Sequence, residues 1–119
     1  MDKMHISGLT LFCIIGTKPV ERKKKQKIIF DVVLECDTSK AGRTDNLKDA
    51  VNYKTLSDQI LSHVCRSKYF LIEKLAHCVS KICLSVPGVK GVTVKVEKPG
   101  ALQMARSASI EIYRRRGDK

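Results

Sequence analysis

The chain has 119 residues, 43% apolar and 5% aromatic, and 23 basic residues against 12 acidic ones give it a formal net charge of +11. That size predicts a single domain over 1–119 with enough apolar residues for one core. The charge admits a nucleic acid, an acidic partner or an anionic substrate, but no aromatics interleave with the basic runs Arg22-Lys23-Lys24-Lys25 and Arg114-Arg115-Arg116, as a base-stacking platform requires.

Residues 4–16 and 27–38 read as strands, the second with Ile28, Phe30, Val32, Leu34 and Cys36 on one face. The Pro-containing loop between them, Thr17 to Gln26, is too long for a tight hairpin and long enough to carry function. Ser39 to Asn46 reads as a second polar connection. From Tyr53 the period turns helical, with Leu56, Ile60, Leu61 and Val64 on one face, until Arg66-Ser67-Lys68 interrupts it. A second helix is predicted from Leu71 to Leu84, closed by Pro87-Gly88. Strands over 90–98 and 106–114 complete a β-β-α-α-β-β order. Four strands with two consecutive helices predict an α+β fold, an antiparallel sheet with a helix pair on one face. Its outer strands stay unpaired, which predicts pairing with further copies of the chain, and the basic runs read as solvated surface or as guards of those edges.

The cysteines Cys13, Cys36, Cys65, Cys78 and Cys83 are odd in number and lack zinc-like spacing, so they read as small hydrophobes in a reducing cytosol. Asp2 and Gly8 interrupt the apolar N-terminal stretch in a way that fits neither a signal peptide nor a membrane span, which predicts a cytoplasmic protein. His5, His63 and His77 share no ligand spacing, so no metal is expected, and nucleotide-binding glycine motifs and a serine-hydrolase elbow are missing.

Four residues stand out chemically. Lys98 shares a strand face with Val92, Val94 and Val96, and Pro99-Gly100-Ala101 then stops the strand and leaves it at the rim. An ammonium there is costly unless paired, and desolvation lowers a lysine pKa toward the range of a general acid and base; a lysine snorkelling out of a strand end fits the same pattern. Glu73 lies in Leu71-Ile72-Glu73-Lys74-Leu75, where its carboxylate complements a helix start and can accept two parallel hydrogen bonds from an amidine-like edge; an ordinary first-turn glutamate fits equally. Tyr53 opens a helix after Asn52 and offers a phenol for proton transfer, or is a boundary tyrosine. Glu21 in the first loop reads as a solvated partner of the neighbouring lysines.

Taken together, ISGLTLFCIIG, Glu21 with Gln26, Ala41-Gly42-Arg43-Thr44-Asp45, Val51-Asn52-Tyr53, Leu71-Ile72-Glu73 and Glu97-Lys98-Pro99-Gly100-Ala101 resemble, in order and spacing over nearly the whole chain, the dihydroneopterin aldolases of the tunnelling fold. The resemblance implies rings of four subunits that close a barrel and stack into an octamer, with sites at subunit contacts. It implies a retro-aldol cleavage of 7,8-dihydroneopterin without metal or other cofactor, catalysed by Lys98, Tyr53 and Glu21. Glu73 would anchor the pterin, with Leu71, Ile72, Val51 and Asn52 completing the slot and Tyr53 arriving from the adjacent subunit. A 2′-epimerase acting on dihydroneopterin or its triphosphate is the alternative within the fold. A noncatalytic nucleic-acid-binding module, with steeply salt-dependent binding, is the remote one. The resemblance itself implies no nucleic-acid or membrane partner.

Overall fold

The computed structural model describes residues 1–118. Four antiparallel strands in the order β1 (Asp2–Cys13), β2 (Gln26–Cys36), β3 (Gly91–Pro99) and β4 (Ser107–Arg115) form one sheet. Between β2 and β3 lie α1 (Ser39–Thr44), α2 (Tyr53–Arg66) and α3 (Ile72–Leu84). α2 packs on β1, and α3 crosses β3 and β4, so both long helices cover one face of the sheet.

Strand alternation and helical period meet in this layer. Phe30, Val32 and Leu34 of β2 and Val92, Val94 and Val96 of β3 are buried against Leu56, Ile60 and Val64 of α2 and Leu75, Val79 and Cys83 of α3. The other sheet face carries Lys95, Glu97 and Glu111, with the Tyr113 hydroxyl donating to Glu35 Oε1 at 2.6 Å. In β1 a bulge between Ile6 and Leu9 keeps both residues on the core side, and there the Gly8 N–H donates to the Asp31 carboxylate at 2.7 Å. With β2 and β3 central, β1 and β4 are the two sheet edges within the chain.

The elements follow the sequence expectation with three differences. β1 ends at Cys13, because Ile14–Gly16 leave the sheet to start the loop, although Ile15 stays buried. The expected connection Ser39–Asn46 contains the six-residue α1, started by the Asp37 carboxylate accepting the Ser39 N–H at 2.9 Å and stopped by Asp45 at φ 56°. The second basic run is not wholly solvated: Arg116 Nε and Nη2 donate to Val89 O at 3.0 and 2.8 Å, and Nη2 to Val86 O at 2.9 Å, tying the end of β4 to the α3–β3 turn.

All five cysteines are free thiols, Cys13, Cys36 and Cys83 fully buried. Among the described residues no helix is long and apolar enough to cross a membrane. Phe30 is the largest side chain with no exposure, on a central strand beneath both helices. Phe30→Ala is expected to cost about 3–5 kcal/mol in urea unfolding, and a loss below about 1 kcal/mol would contradict this placement of the core.

Candidate active site

Lys98 closes the buried row of β3, opposite Ala108 of β4, and its side chain is only 12% exposed. Its ammonium donates to Glu21 Oε2 at 2.5 Å, and the Glu21 side chain is 19% exposed. The snorkelling reading of Lys98 therefore fails, and so does the solvated reading of Glu21: the two meet across the mouth of the sheet.

Local backbone geometry explains how Glu21 reaches that far. The loop after β1 tightens into a 3-10 turn over Glu21–Lys23, with the Glu21 N–H donating to Lys18 O at 2.9 Å. The Lys18 N–H in turn donates to Glu21 Oε1 at 3.0 Å, so both carboxylate oxygens have donors. The Lys98 hydrogen bond, then the Lys18 backbone donor, hold the Glu21 carboxyl below its usual pKa, against desolvation. Gln26 Nε2 donates to Ile15 O at 2.5 Å and to Glu21 O at 3.4 Å, bracing the same loop. Gly16 sits at φ +125°, and a Cβ there would collide with the Glu21 carboxylate, so glycine is required on both counts.

Across from this loop, α3 begins with Leu71 as N-cap, Ile72 and Glu73, and it has no side-chain cap. Its first-turn N–H groups thus lack a side-chain acceptor, while Glu73 sets a carboxylate beside them. Glu21, Lys98, Leu71, Ile72 and Glu73 line one open cleft of about 270 Å³ with Ala108 at its back. Three carriers of chemistry more than twenty residues apart in sequence thus share one hollow: a partly buried ammonium, a carboxylate that holds it, and a second carboxylate on a helix start.

Val51, Asn52 and Tyr53 lie elsewhere. Val51 is buried beside Gly88, Asn52 caps α2 by accepting the Thr55 N–H at 3.1 Å, and Tyr53 is 60% exposed. Gly88 precedes β3 while Lys98 ends it, a separation of about 23 Å along the strand from Gly91 at roughly 3.3 Å per residue. Within one chain Tyr53 and Lys98 belong to opposite ends. A larger hollow, about 530 Å³, opens near Val51, but both its Asp49 and its Thr38 are engaged internally: Asp49 accepts from Thr44 at 2.7 Å and pairs with Lys40 at 3.3 Å, and the Thr38 hydroxyl donates to Asp2 at 2.6 Å. Chemistry, not size, selects the Lys98 cleft. Among the described residues no group of three or more metal-ligating side chains converges.

Gly16, Gln26 and Arg22 support the site. Gln26 was visible only through the resemblance, Gly16 carried no signal apart from ending a strand-like run, and Arg22 was absorbed into a basic run read as solvated. Its guanidinium instead donates to three backbone carbonyls and stacks on Phe70.

Residues 4–113 match the family model described as dihydroneopterin aldolase. A dihydroneopterin aldolase of Haemophilus influenzae is 33% identical over 96% of this chain and 97% of its own length. The folic acid synthesis protein FOL1 of Dictyostelium discoideum is 41% identical over 96% of this chain, which spans only 17% of that protein. A dihydroneopterin triphosphate 2′-epimerase of Escherichia coli is 31% identical over 92% of this chain and 91% of its own. The crystal structure of Escherichia coli dihydroneopterin aldolase in complex with neopterin superposes with a TM-score of 0.89 at 30% identity, over 96% of this chain and 99% of that one. A uricase from a Bacillus species shares the fold alone, with a TM-score of 0.60 at 8% identity over 97% of this chain and 44% of its own. The chain belongs to the dihydroneopterin aldolase family. It is accordingly an enzyme of the lyase class, an aldolase of folate synthesis.

The paired carboxylate makes a pH signature. With its folded pKa below the unfolded value of about 4.5, Glu21 contributes stability that is present above that value and lost as pH falls through the folded one. The difference in unfolding free energy between the wild type and Glu21→Gln should be about 1 kcal/mol near pH 7, hold down to about pH 4.5 and shrink below it. Urea melts at stepped pH check this; a difference that grows on acidification would show that the pair is not the source.

Proposed function

We propose that the Lys98 cleft binds 7,8-dihydroneopterin and cleaves it by retro-aldol reaction to 6-hydroxymethyl-7,8-dihydropterin and glycolaldehyde. The observation that carries this reading is the meeting of the Lys98–Glu21 pair and Glu73 in one cleft. The Glu73 carboxylate accepts the parallel N–H donors of the 2-amino-4-oxo edge of the pterin, and the uncapped backbone of Leu71-Ile72 borders the ring. Glu21 orients Lys98 and holds the hydroxylated side chain of the substrate.

In the reaction, Lys98, neutral when poised to react, accepts the 2′-hydroxyl proton through water as the C1′–C2′ bond breaks. That hydroxyl carbon leaves as the aldehyde of glycolaldehyde. The bond's electron pair moves into the pterin C=N bond beside the side chain, whose N5 is protonated, giving an enamine. Protonation of the enamine carbon with help from Tyr53, and release of the N5 proton to solvent, restore the C=N bond and complete 6-hydroxymethyl-7,8-dihydropterin. The ring is its own electron sink, and the lysine forms no Schiff base.

Tyr53 takes part from a neighbouring subunit, with Val51 and Asn52 beside it. The separation of Tyr53 from Lys98 within the chain supports this arrangement, as do the two sheet edges left by β1 and β4. Joining those edges gives a closed ring, and two stacked rings of four give the octamer. The domain spans 1–119 and works in the cytoplasm, in keeping with five free thiols.

Epimerisation at C2′ is the second reading, favoured by the comparable likeness to a dihydroneopterin triphosphate 2′-epimerase. It uses the same bond cleavage, followed by re-addition of the glycolaldehyde fragment to the opposite face. Incubation with 7,8-dihydroneopterin without added metal, followed by chromatography for glycolaldehyde, the hydroxymethyl product and the 2′-epimer, separates the two. Epimer alone would overturn the lyase assignment.

Lys98→Ala should lower turnover by about 10²–10⁴-fold while pterin affinity stays within about threefold. Glu73→Ala should weaken pterin binding by about 10–100-fold, and an unchanged dissociation constant in that variant would remove Glu73 as the anchor. Mixing subunits tests the shared site. Lys98→Ala and Tyr53→Ala proteins, each impaired alone, should regain about a quarter of wild-type sites after unfolding and refolding together, because some contacts then join an intact Lys98 to an intact Tyr53. No regain in verified mixed oligomers would place both residues in one subunit's site or remove Tyr53 from it.

A further inference from the structure

Arg22 follows Glu21 in the same 3-10 turn, yet their side chains diverge. Glu21 points to Lys98. Arg22 turns back to the linker between α2 and α3, where Nη2 donates to Lys68 O at 2.6 Å and Nη1 to Tyr69 O at 3.0 Å, and Nη1 also donates to Gly16 O at 3.1 Å in its own loop. The guanidinium lies 4.1 Å from the centroid of the Phe70 ring. One planar group thus bonds both sides of a junction, which a lysine point charge cannot do with the same geometry.

The two segments it joins are the two walls of the cleft. One wall is the loop from Gly16 to Glu21, the other runs from Phe70 to Glu73. Between their backbones there is one direct tie, the Gly16 N–H donating to Tyr69 O at 3.4 Å. The acceptors are themselves anchored, because the Tyr69 hydroxyl lies 2.9 Å from His63 Nε2 of α2. Arg22 therefore ties the backbone beside Glu21 to the segment that leads into Glu73.

We propose that Arg22 is a positioning residue that sets the width of the cleft for its flat substrate by pinning the Gly16–Glu21 wall to the Phe70–Glu73 wall. This rests on the pterin-aldolase reading above. The residue touches neither substrate nor Lys98, so its effect falls on binding of the planar ring more than on the bond-breaking step, since the Lys98–Glu21 contact joins β3 to the loop through none of the Arg22 hydrogen bonds.

The test uses Arg22→Met, which keeps the apolar stem, and Arg22→Lys, which keeps the charge, both measured well below their melting temperatures. Guanine serves as a probe with the same 2-amino-4-oxo edge. For Arg22→Met the expected result is a rise of about tenfold in KM for 7,8-dihydroneopterin and in the guanine dissociation constant, with kcat within about threefold. Arg22→Lys should fall near Met rather than near wild type. Hydrogen exchange should quicken in peptides covering 15–22 and 67–72 and stay unchanged in β2.

A merely structural arginine would lower the melting temperature and leave KM and the guanine affinity unchanged, which would overturn the proposal. So would full rescue of both constants by Arg22→Lys, since charge alone would then suffice. A wild type that neither binds guanine nor cleaves the pterin would overturn the aldolase reading and, with it, the substrate role of Arg22. An active wild type with an unaltered Arg22→Met overturns the role of Arg22 alone.

Discussion

The proposed chemistry depends on placing a lysine ammonium at the end of a row of buried valines. Left alone, an ammonium that is largely withdrawn from water would destabilise the fold. The Glu21 carboxylate offsets this cost from 77 positions away in sequence, and it arrives already oriented by the Lys18 N–H. One contact therefore serves two ends. It lets β3 carry Lys98 to the rim of the core, and it commits the loop after β1 to a single conformation in which Gly16 must lack a side chain and Gln26 must brace the turn. A pair so constrained has lost its conformational freedom before any substrate arrives, which suits the proton transfer proposed for Lys98.

The same architecture separates the remaining parts of the site. α2 and α3 run in opposite directions over the sheet, so the start of α3 lies at the Lys98 end and the start of α2 at the other. A helix of fourteen residues is about 21 Å long, too far for Tyr53 to return to Lys98. Any chemistry that uses both helix starts has to draw them from different copies, and the unpaired edges of β1 and β4 give those copies a way to meet. The proposed division of the site and the unpaired edges of the sheet are in this sense one property, since both call on a second copy of the chain.

How much of this could be read from the residues alone varies with the range of the interaction. The four strands and two long helices were legible because period-2 and period-3.6 patterns are local, and so was the phase of Lys98 with Val92, Val94 and Val96. The partner of that lysine was not. Glu21 lies in a lysine-rich loop, where composition offers it many nearer cations, and only the folded turn takes it to Lys98. Arg22 was less legible still, because its acceptors are backbone carbonyls and carbonyls have no sequence signature. Arg116 failed for the same reason. For Glu21, Glu73 and Tyr53, the joint spacing of motifs along the chain carried what periodicity could not. α1 escaped notice because its six residues, Ser39–Thr44, carry no apolar stripe, and its start and stop are set by Asp37 and Asp45 rather than by burial.

The likeness to a uricase at 8% identity separates frame from function. An antiparallel sheet under two helices does not require a lysine at the end of β3, nor a glutamate in the first turn of α3, where Glu73 is exposed. What the frame does supply is a rim where a strand end, a loop and a helix start converge, together with edges that pair. Chemistry is then decided by a few side chains on that rim and by the ties that hold its walls apart at a set distance. A substitution that spares every residue able to touch a ligand can therefore still change which ligand fits, if it loosens one of those ties. The Gly16–Glu21 loop, bound across the cleft by one long backbone hydrogen bond and otherwise by side chains, is where such a change has leverage.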